Sequence, residues 1–176
     1  MRQGEKQRMG EVVWAPWRME YILAPKPAGC IFCDKPQERC DAENLILWRG
    51  NTAFVMMNRY PYNNGHVMVV PHVHAASLGA LAASQRAELL DLTMVCEQVL
   101  QQALHPAGFN IGLNLGAAAG AGIAEHLHIH VVPRWAGDTN YMTVVGDIRV
   151  IPQHLNHTYQ TLAPYFHHWH NGAPSA

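Results

Sequence analysis

Chemistry concentrates in one run, His126-Leu127-His128-Ile129-His130-Val131-Val132, of a 176-residue chain that carries twelve histidines. In an extended strand alternate side chains share a face, so the three imidazoles form a row while Leu127, Ile129 and Val131 point to the core. A structural surface has no use for three aligned imidazoles, but two chemistries do. The row can bind a metal, as H-x-H pairs do in zinc hydrolases and cupins. Alternatively, a neutral imidazole attacks phosphorus while its neighbours orient and protonate the reacting groups. An unperturbed pKa of about 6.5 leaves the nucleophilic nitrogen available at neutral pH. His128 is the candidate nucleophile, because it has an imidazole on each side and a backbone that can fix its tautomer.

A second cluster begins at Cys30-Ile31-Phe32-Cys33. Two thiolates and two imidazoles make a closed tetrahedral site, and Pro71-His72-Val73-His74 supplies candidate imidazoles. In a reducing compartment such a pair reads as metal or redox before disulfide. Cys40 and Cys96 read as bystanders. His154, His157, His167, His168 and His170 read as solvated side chains on a C-terminal helix.

These residues need elements to position them. Residues 45–48 and 53–57 look like strands joined by the hairpin signal Gly50-Asn51. Residues 58–65 form a loop ending in the turn pair Asn64-Gly65, and residues 66–70 a strand stopped by Pro71. From 84 to 104 the apolar positions Leu89, Leu92, Cys96, Val99, Leu100 and Ala103 keep a helical period, with Ser84 as N-cap and Glu88 in the first turn. Residues 109–115 and 126–132 read as strands flanking the glycine-rich loop 116–122, and 159–169 as a helix. Trp14, Trp17, Arg18 and Tyr21 recur at helical spacing after a polar, mobile N-terminal segment, residues 1–13. The expected class is α+β, an antiparallel sheet of about five strands with one long helix. Residues 14–176 form a single domain, with a core at about 30–134 and a C-terminal extension.

Composition bounds the partners. About half the residues are apolar (49%), enough for a sizeable core without disulfides, and the formal charge of −1 gives no broad grip on a long nucleic acid. Residues 1–13 hold no signal-peptide core and no stretch suits a membrane span, so a soluble, cytoplasmic protein is expected. Charged residues make up 14%, well below the usual ~25%, which hints that a second copy of the chain covers some surface.

H-x-H-x-H followed by two apolar residues resembles the signature of the histidine triad (HIT) family of nucleotide hydrolases and transferases. Asn58-Arg59-Tyr60-Pro61 followed by Gly65-His66 resembles the family's N-x-x-P…G-H segment, and Asn114 stands before the triad loop. Trp14-Ala15-Pro16-Trp17, Pro133-Arg134-Trp135 and Gly137-Asp138-Thr139-Asn140 resemble the diadenosine polyphosphate phosphorylase and hydrolase branch. The resemblance implies that His128 attacks the α-phosphorus of a dinucleoside polyphosphate such as diadenosine tetraphosphate. A covalent nucleotidyl-histidine would form and then be cleaved by water or phosphate. His130, His126 and His66 would border the phosphates, Asn114 would donate to a phosphate oxygen and Asn58 would contact the ribose. Ile31, Phe32 and Met56 match positions lining a purine pocket. The resemblance further implies a homodimer, no organic cofactor, and a structural zinc on Cys30, Cys33, His74 and His126, with His72 the fallback ligand. Where many members carry Gln, Ser or Thr before the first histidine, this chain has Ala121-Gly122-Ile123, so backbone N–H groups around Gly122 would cradle phosphate instead. Two alternatives stand beside this reading: a metalloenzyme with its catalytic metal on the histidine row, and a nucleotide-binding sensor with weak catalysis.

Overall fold

The structure, a computed structural model, describes residues 29–138 and 153–170. The expected N-terminal segment, the Trp14 to Tyr21 helix, and Thr139 and Asn140 lie outside them. Five strands, β1 (Ile46–Arg49), β2 (Ala53–Met57), β3 (Val67–Pro71), β4 (Gly108–Leu113) and β5 (Ile129–Arg134), form one sheet in the order β1-β2-β3-β5-β4. Every neighbouring pair is antiparallel, so the α+β class holds. Helices α1 (Ile31–Asp34) and α2 (Asp41–Asn44) precede the sheet, α3 (Ala83–Leu104) links β3 to β4, and α4 (Leu155–His170) follows it. Because α3 carries the chain past the place beside β3, β5 returns between β3 and β4, and the histidine run enters the sheet near its centre.

β2 and β3 are buried along their whole length because both sheet faces are covered. On one face Val55, Met57, Val67, Val69, Leu127, Ile129 and Val131 pack with Leu89, Leu92, Cys96, Val99 and Leu100 of α3 and with Leu162 and Phe166 of α4. On the other, Phe54, Met56, Met68 and Val70 pack with Ile46 and Phe32. The helical period of α3 therefore gave its buried stripe correctly, with Ala103 at the margin.

Several boundaries differ from expectation: β1 is shifted by one residue, β4 ends at Leu113, and Pro71 does not stop β3 but is its last residue, paired with Ala53. β5 starts at Ile129 because the preceding segment leaves the ladder: the Leu127 N–H donates to the Ala75 carbonyl, 2.7 Å away, in the loop after β3. Ser84 is not the N-cap. Ala82 holds that place in an extended conformation, and its N–H is taken by the Gln85 side chain at 2.8 Å. Glu88 lies beyond the first turn and instead holds the β1–β2 hairpin, accepting the Asn51 and Thr52 N–H groups at 2.6 and 2.8 Å. A Cβ on Gly50 would meet this carboxylate and the Ala53 carbonyl, so the hairpin needs glycine there. The C-terminal helix is longer than expected, beginning at Leu155.

Candidate active site and metal centre

The turn before β3 sets the first candidate side chain. Gly65 adopts φ +72°, a left-handed conformation that favours glycine, and a Cβ there would press on Leu104. The turn drives His66 into the interior, where it is 1% exposed. The Tyr62 N–H donates to His66 Nδ1 at 3.0 Å, and His66 Nε2 lies 3.0 Å from His130 Nδ1. An amide can only donate, so His66 Nδ1 must accept and its Nε2 must carry the proton. That proton goes to His130 Nδ1, which leaves the proton of neutral His130 on Nε2. Burial, with His128 beside it, pushes the His130 pKa down to about 4.

His128 has the opposite tautomer. Its Nδ1 donates to the His126 carbonyl at 3.0 Å, so Nε2 keeps a free lone pair. Burial lowers its pKa, which keeps the ring neutral and nucleophilic at neutral pH. The His130 ring lies 4.7 Å away, edge to face, and the Phe32 ring 4.8 Å away. Of the expected purine-pocket residues, Phe32 and Met56 are 2% and 5% exposed and belong to the packed layer under the row, while Ile31 is half-buried at its margin. Phe32 thus braces His126 and His128.

His126 is fully buried and turns a third way. Its Nε2 donates to the Pro71 carbonyl at 2.9 Å, directing the Nδ1 lone pair at Cys30 Sγ (3.3 Å) and Cys33 Sγ (3.5 Å). His74 Nδ1 lies 3.3 Å from Cys33 Sγ, and the four ligand atoms all fall within 4.8 Å of one another. Zn–S and Zn–N bonds of about 2.3 and 2.0 Å at a tetrahedral angle place sulfur and nitrogen about 3.5 Å apart, so the donor set fits zinc. Burial and then the neighbouring Cys30 push the Cys33 thiol up to about 11, an electrostatic conflict that a divalent cation would relieve. His72 is not part of the cluster. It stacks on Phe54 at 5.4 Å and faces the Gly50 carbonyl. Among the described residues this is the one group of three or more side chains arranged for a metal, and the three row histidines do not converge on a common point.

The remaining expected residues are Asn58, Asn114 and Gly122. Asn58 Oδ1 accepts the Tyr60 N–H at 2.9 Å and so caps its own turn. Asn114 is half-buried just past β4, and Gly122 is exposed. Within the glycine-rich loop the N–H groups of Ala119, Gly120 and Ala121 bond to the Gly116 and Ala117 carbonyls, which removes three donors from any phosphate cradle. The Tyr62 amide, the Pro71 carbonyl and the bracing role of Phe32 were not foreseen. Two are backbone groups, which carry no residue-type signal.

The HIT domain family model matches residues 40–137, a span that contains His66 and the histidine row. The chain belongs to the HIT family. This HIT chain is 44% identical over 161 residues to the AP-4-A phosphorylase of Mycobacterium tuberculosis, covering 86% of itself and 82% of that protein. It is 28% identical over 105 residues to the adenosine 5'-monophosphoramidase of Schizosaccharomyces pombe, covering 60% of itself and 74% of that protein. A zinc-bound histidine triad protein from Mycobacterium smegmatis shares the fold, with a TM-score of 0.66 at 23% identity, over 82% of this chain and 98% of that one. The HIT fold, with its open five-stranded antiparallel sheet, is therefore that of this chain. Among its described residues no helix is long and apolar enough to cross a membrane.

Proposed function

We propose that this HIT protein transfers a nucleotidyl group from a dinucleoside polyphosphate, diadenosine tetraphosphate first among them, to His128 and then to inorganic phosphate. The observation that carries the reading is the bond from His128 Nδ1 to the His126 carbonyl, which commits the Nε2 lone pair to attack. In the first step Nε2 bonds to the α-phosphorus, the bond from that phosphorus to its bridging oxygen breaks, and ATP departs. His130 Nε2–H donates to the departing oxygen as charge develops there. In the second step phosphate attacks the adenylyl-histidine, the P–N bond breaks, and ADP forms as the His128 lone pair returns. Likeness to the mycobacterial phosphorylase supports phosphate over water as acceptor.

His66 acts through His130, since both of its ring nitrogens have partners inside the protein. Half-buried Ile31, at the margin of the packed layer of Phe32 and Met56, supports a role as a base wall, and half-buried Asn114 supports a phosphate contact. Cys30, Cys33, His74 and His126 would hold a structural zinc(II). When bound, it neutralises the thiolates and fixes the His126 ring.

A homodimer accords with the exposed edge strand β4, where Ile111 is 46% exposed, and with Leu90 and Met94 exposed on α3. A cytoplasmic setting suits a site that needs Cys30 and Cys33 reduced. The test is diadenosine tetraphosphate turnover with and without phosphate. ATP and ADP formed only with phosphate support the reading. AMP, or symmetric ADP formed without phosphate, means hydrolysis, and no turnover with tight AMP binding means a sensor.

A further inference from the structure

The row and the zinc cluster leave one aromatic side chain unassigned, although it touches two of the histidines. The Tyr62 ring stacks on His66 with centroids 4.8 Å apart and planes 26° apart, and meets the His130 ring at 5.6 Å and 43°. The same residue's N–H is the donor that fixes the His66 tautomer, at 3.0 Å. The next residue anchors the turn. The Asn63 carbonyl accepts the His66 N–H at 3.2 Å, and the Asn63 side chain donates to the Pro133 carbonyl at 3.1 Å and to Asp138 at 2.8 Å. The backbone and the ring of one residue therefore act on the same imidazole.

We propose that Tyr62 is a positioning residue of the reaction: its ring and amide together hold His66 in the tautomer that delivers its proton to His130, so that His130 presents a donor Nε2–H to the leaving group. The physical basis is the directionality of the chain of donors. A neutral imidazole has two tautomers of similar energy, and an amide held against Nδ1 removes one of them. The amide works only while the His66 ring stays aligned with it, and a flat aromatic face against that ring limits its rotation. The other tautomer of His66 would point its Nδ1–H at the amide and, with His130 keeping its proton on Nε2, leave two acceptors facing across the gap, a repulsive arrangement in a buried place. The role is one of orientation, carried by the ring face. The inference rests on the reading of His130 as donor to the leaving group.

The test uses the full-length protein and two variants, Tyr62→Phe and Tyr62→Leu. Phenylalanine keeps the stacked face, so turnover stays within about twofold of wild type. Leucine removes it, and kcat falls by about tenfold or more while KM moves by less than about threefold, a fraction of the 10²–10⁴ that a general acid supplies. Zinc content and melting temperature are recorded for each, so that loss of fold is seen as such. A Tyr62→Leu enzyme with wild-type kcat overturns the proposal. So does a Tyr62→Phe enzyme as slow as Tyr62→Leu, or a change confined to KM, since either would mean direct contact with substrate. A second readout needs no turnover. Nitrogen-15 spectra of the histidine rings in the wild-type protein, at neutral pH, should show His66 protonated at Nε2 and bare at Nδ1, and the reverse overturns the proposal even if Tyr62→Leu does not fold. If wild type turns over no dinucleoside polyphosphate, the function reading fails while the His66 spectrum still decides the tautomer.

Discussion

His128 Nδ1 lies 3.0 Å from the carbonyl oxygen of His126, so a residue whose side chain belongs to the Cys30, Cys33, His74 and His126 group also sets, through its backbone, the tautomer of His128, the proposed nucleophile. The histidine row and the candidate metal group are joined through one residue. Anything that shifts His126 by a few tenths of an ångström changes the hydrogen bond that aims His128 Nε2.

Zinc removal should therefore act on the rate as well as on the fold. Cys33→Ala should lower the metal content from one zinc per chain to near none, with a loss of about ten- to a hundredfold in turnover, the range seen when the support of a functional imidazole is removed. His72→Ala should leave the metal content unchanged, since His72 faces Gly50 and Phe54. Metal analysis by atomic emission, paired with steady-state rates, checks both. One zinc per chain in Cys33→Ala would refute the assigned ligands.

His130 should make the fold sensitive to acid. Its folded pKa is pushed down to about 4 from 6.5, so between those values the unfolded chain holds a proton that the folded chain refuses. Stability is then fully present above the unfolded pKa and is lost as pH falls through that window. Among the described residues the rings facing His130 are those of His66, His128 and Tyr62, and no carboxylate among them offsets the loss. Urea midpoints from neutral pH downward should fall, and the slope should be shallower in His130→Asn. An equal slope in that variant would place the acid sensitivity elsewhere.

The C-terminal helix is part of the core. Phe166 and Leu162 are fully buried against the sheet, Tyr159 donates to the Ile46 carbonyl at 3.1 Å and Thr158 to Asn64 at 3.1 Å. Phe166→Ala should cost roughly 3–5 kcal/mol in a denaturant titration. Loss of less than about 1 kcal/mol would mean that the helix is dispensable.

The parts legible in the sequence are those governed by local period. Alternation around His128 correctly separated three imidazoles from Leu127, Ile129 and Val131, and the 3.6-residue stripe gave the buried face of α3. The C-x-x-C pair pointed to a metal only together with the nearby histidines, and the set of four came from the family resemblance; the structure brings those four side chains together. What stayed illegible depends on contacts between distant segments. The start of β5 was set by Ala75, the use of Glu88 by the hairpin it reaches, and the His126 tautomer by the Pro71 carbonyl. None of these partners is a type that spacing could single out. Asn58 shows the converse. A side chain that suits a ribose contact also suits a turn, and the structure shows it capping one.

The most direct test is to trap the intermediate. Diadenosine tetraphosphate labelled at the α-phosphorus is mixed with enzyme, quenched in alkali because phosphorus–nitrogen bonds to histidine break in acid, and digested for peptide mapping. Label should appear on the peptide containing His128 and be absent in His128→Ala, whose turnover should fall by about a thousandfold or more. Label on any other side chain, or a His128→Ala enzyme that turns over near the wild-type rate, would contradict the assignment of the nucleophile.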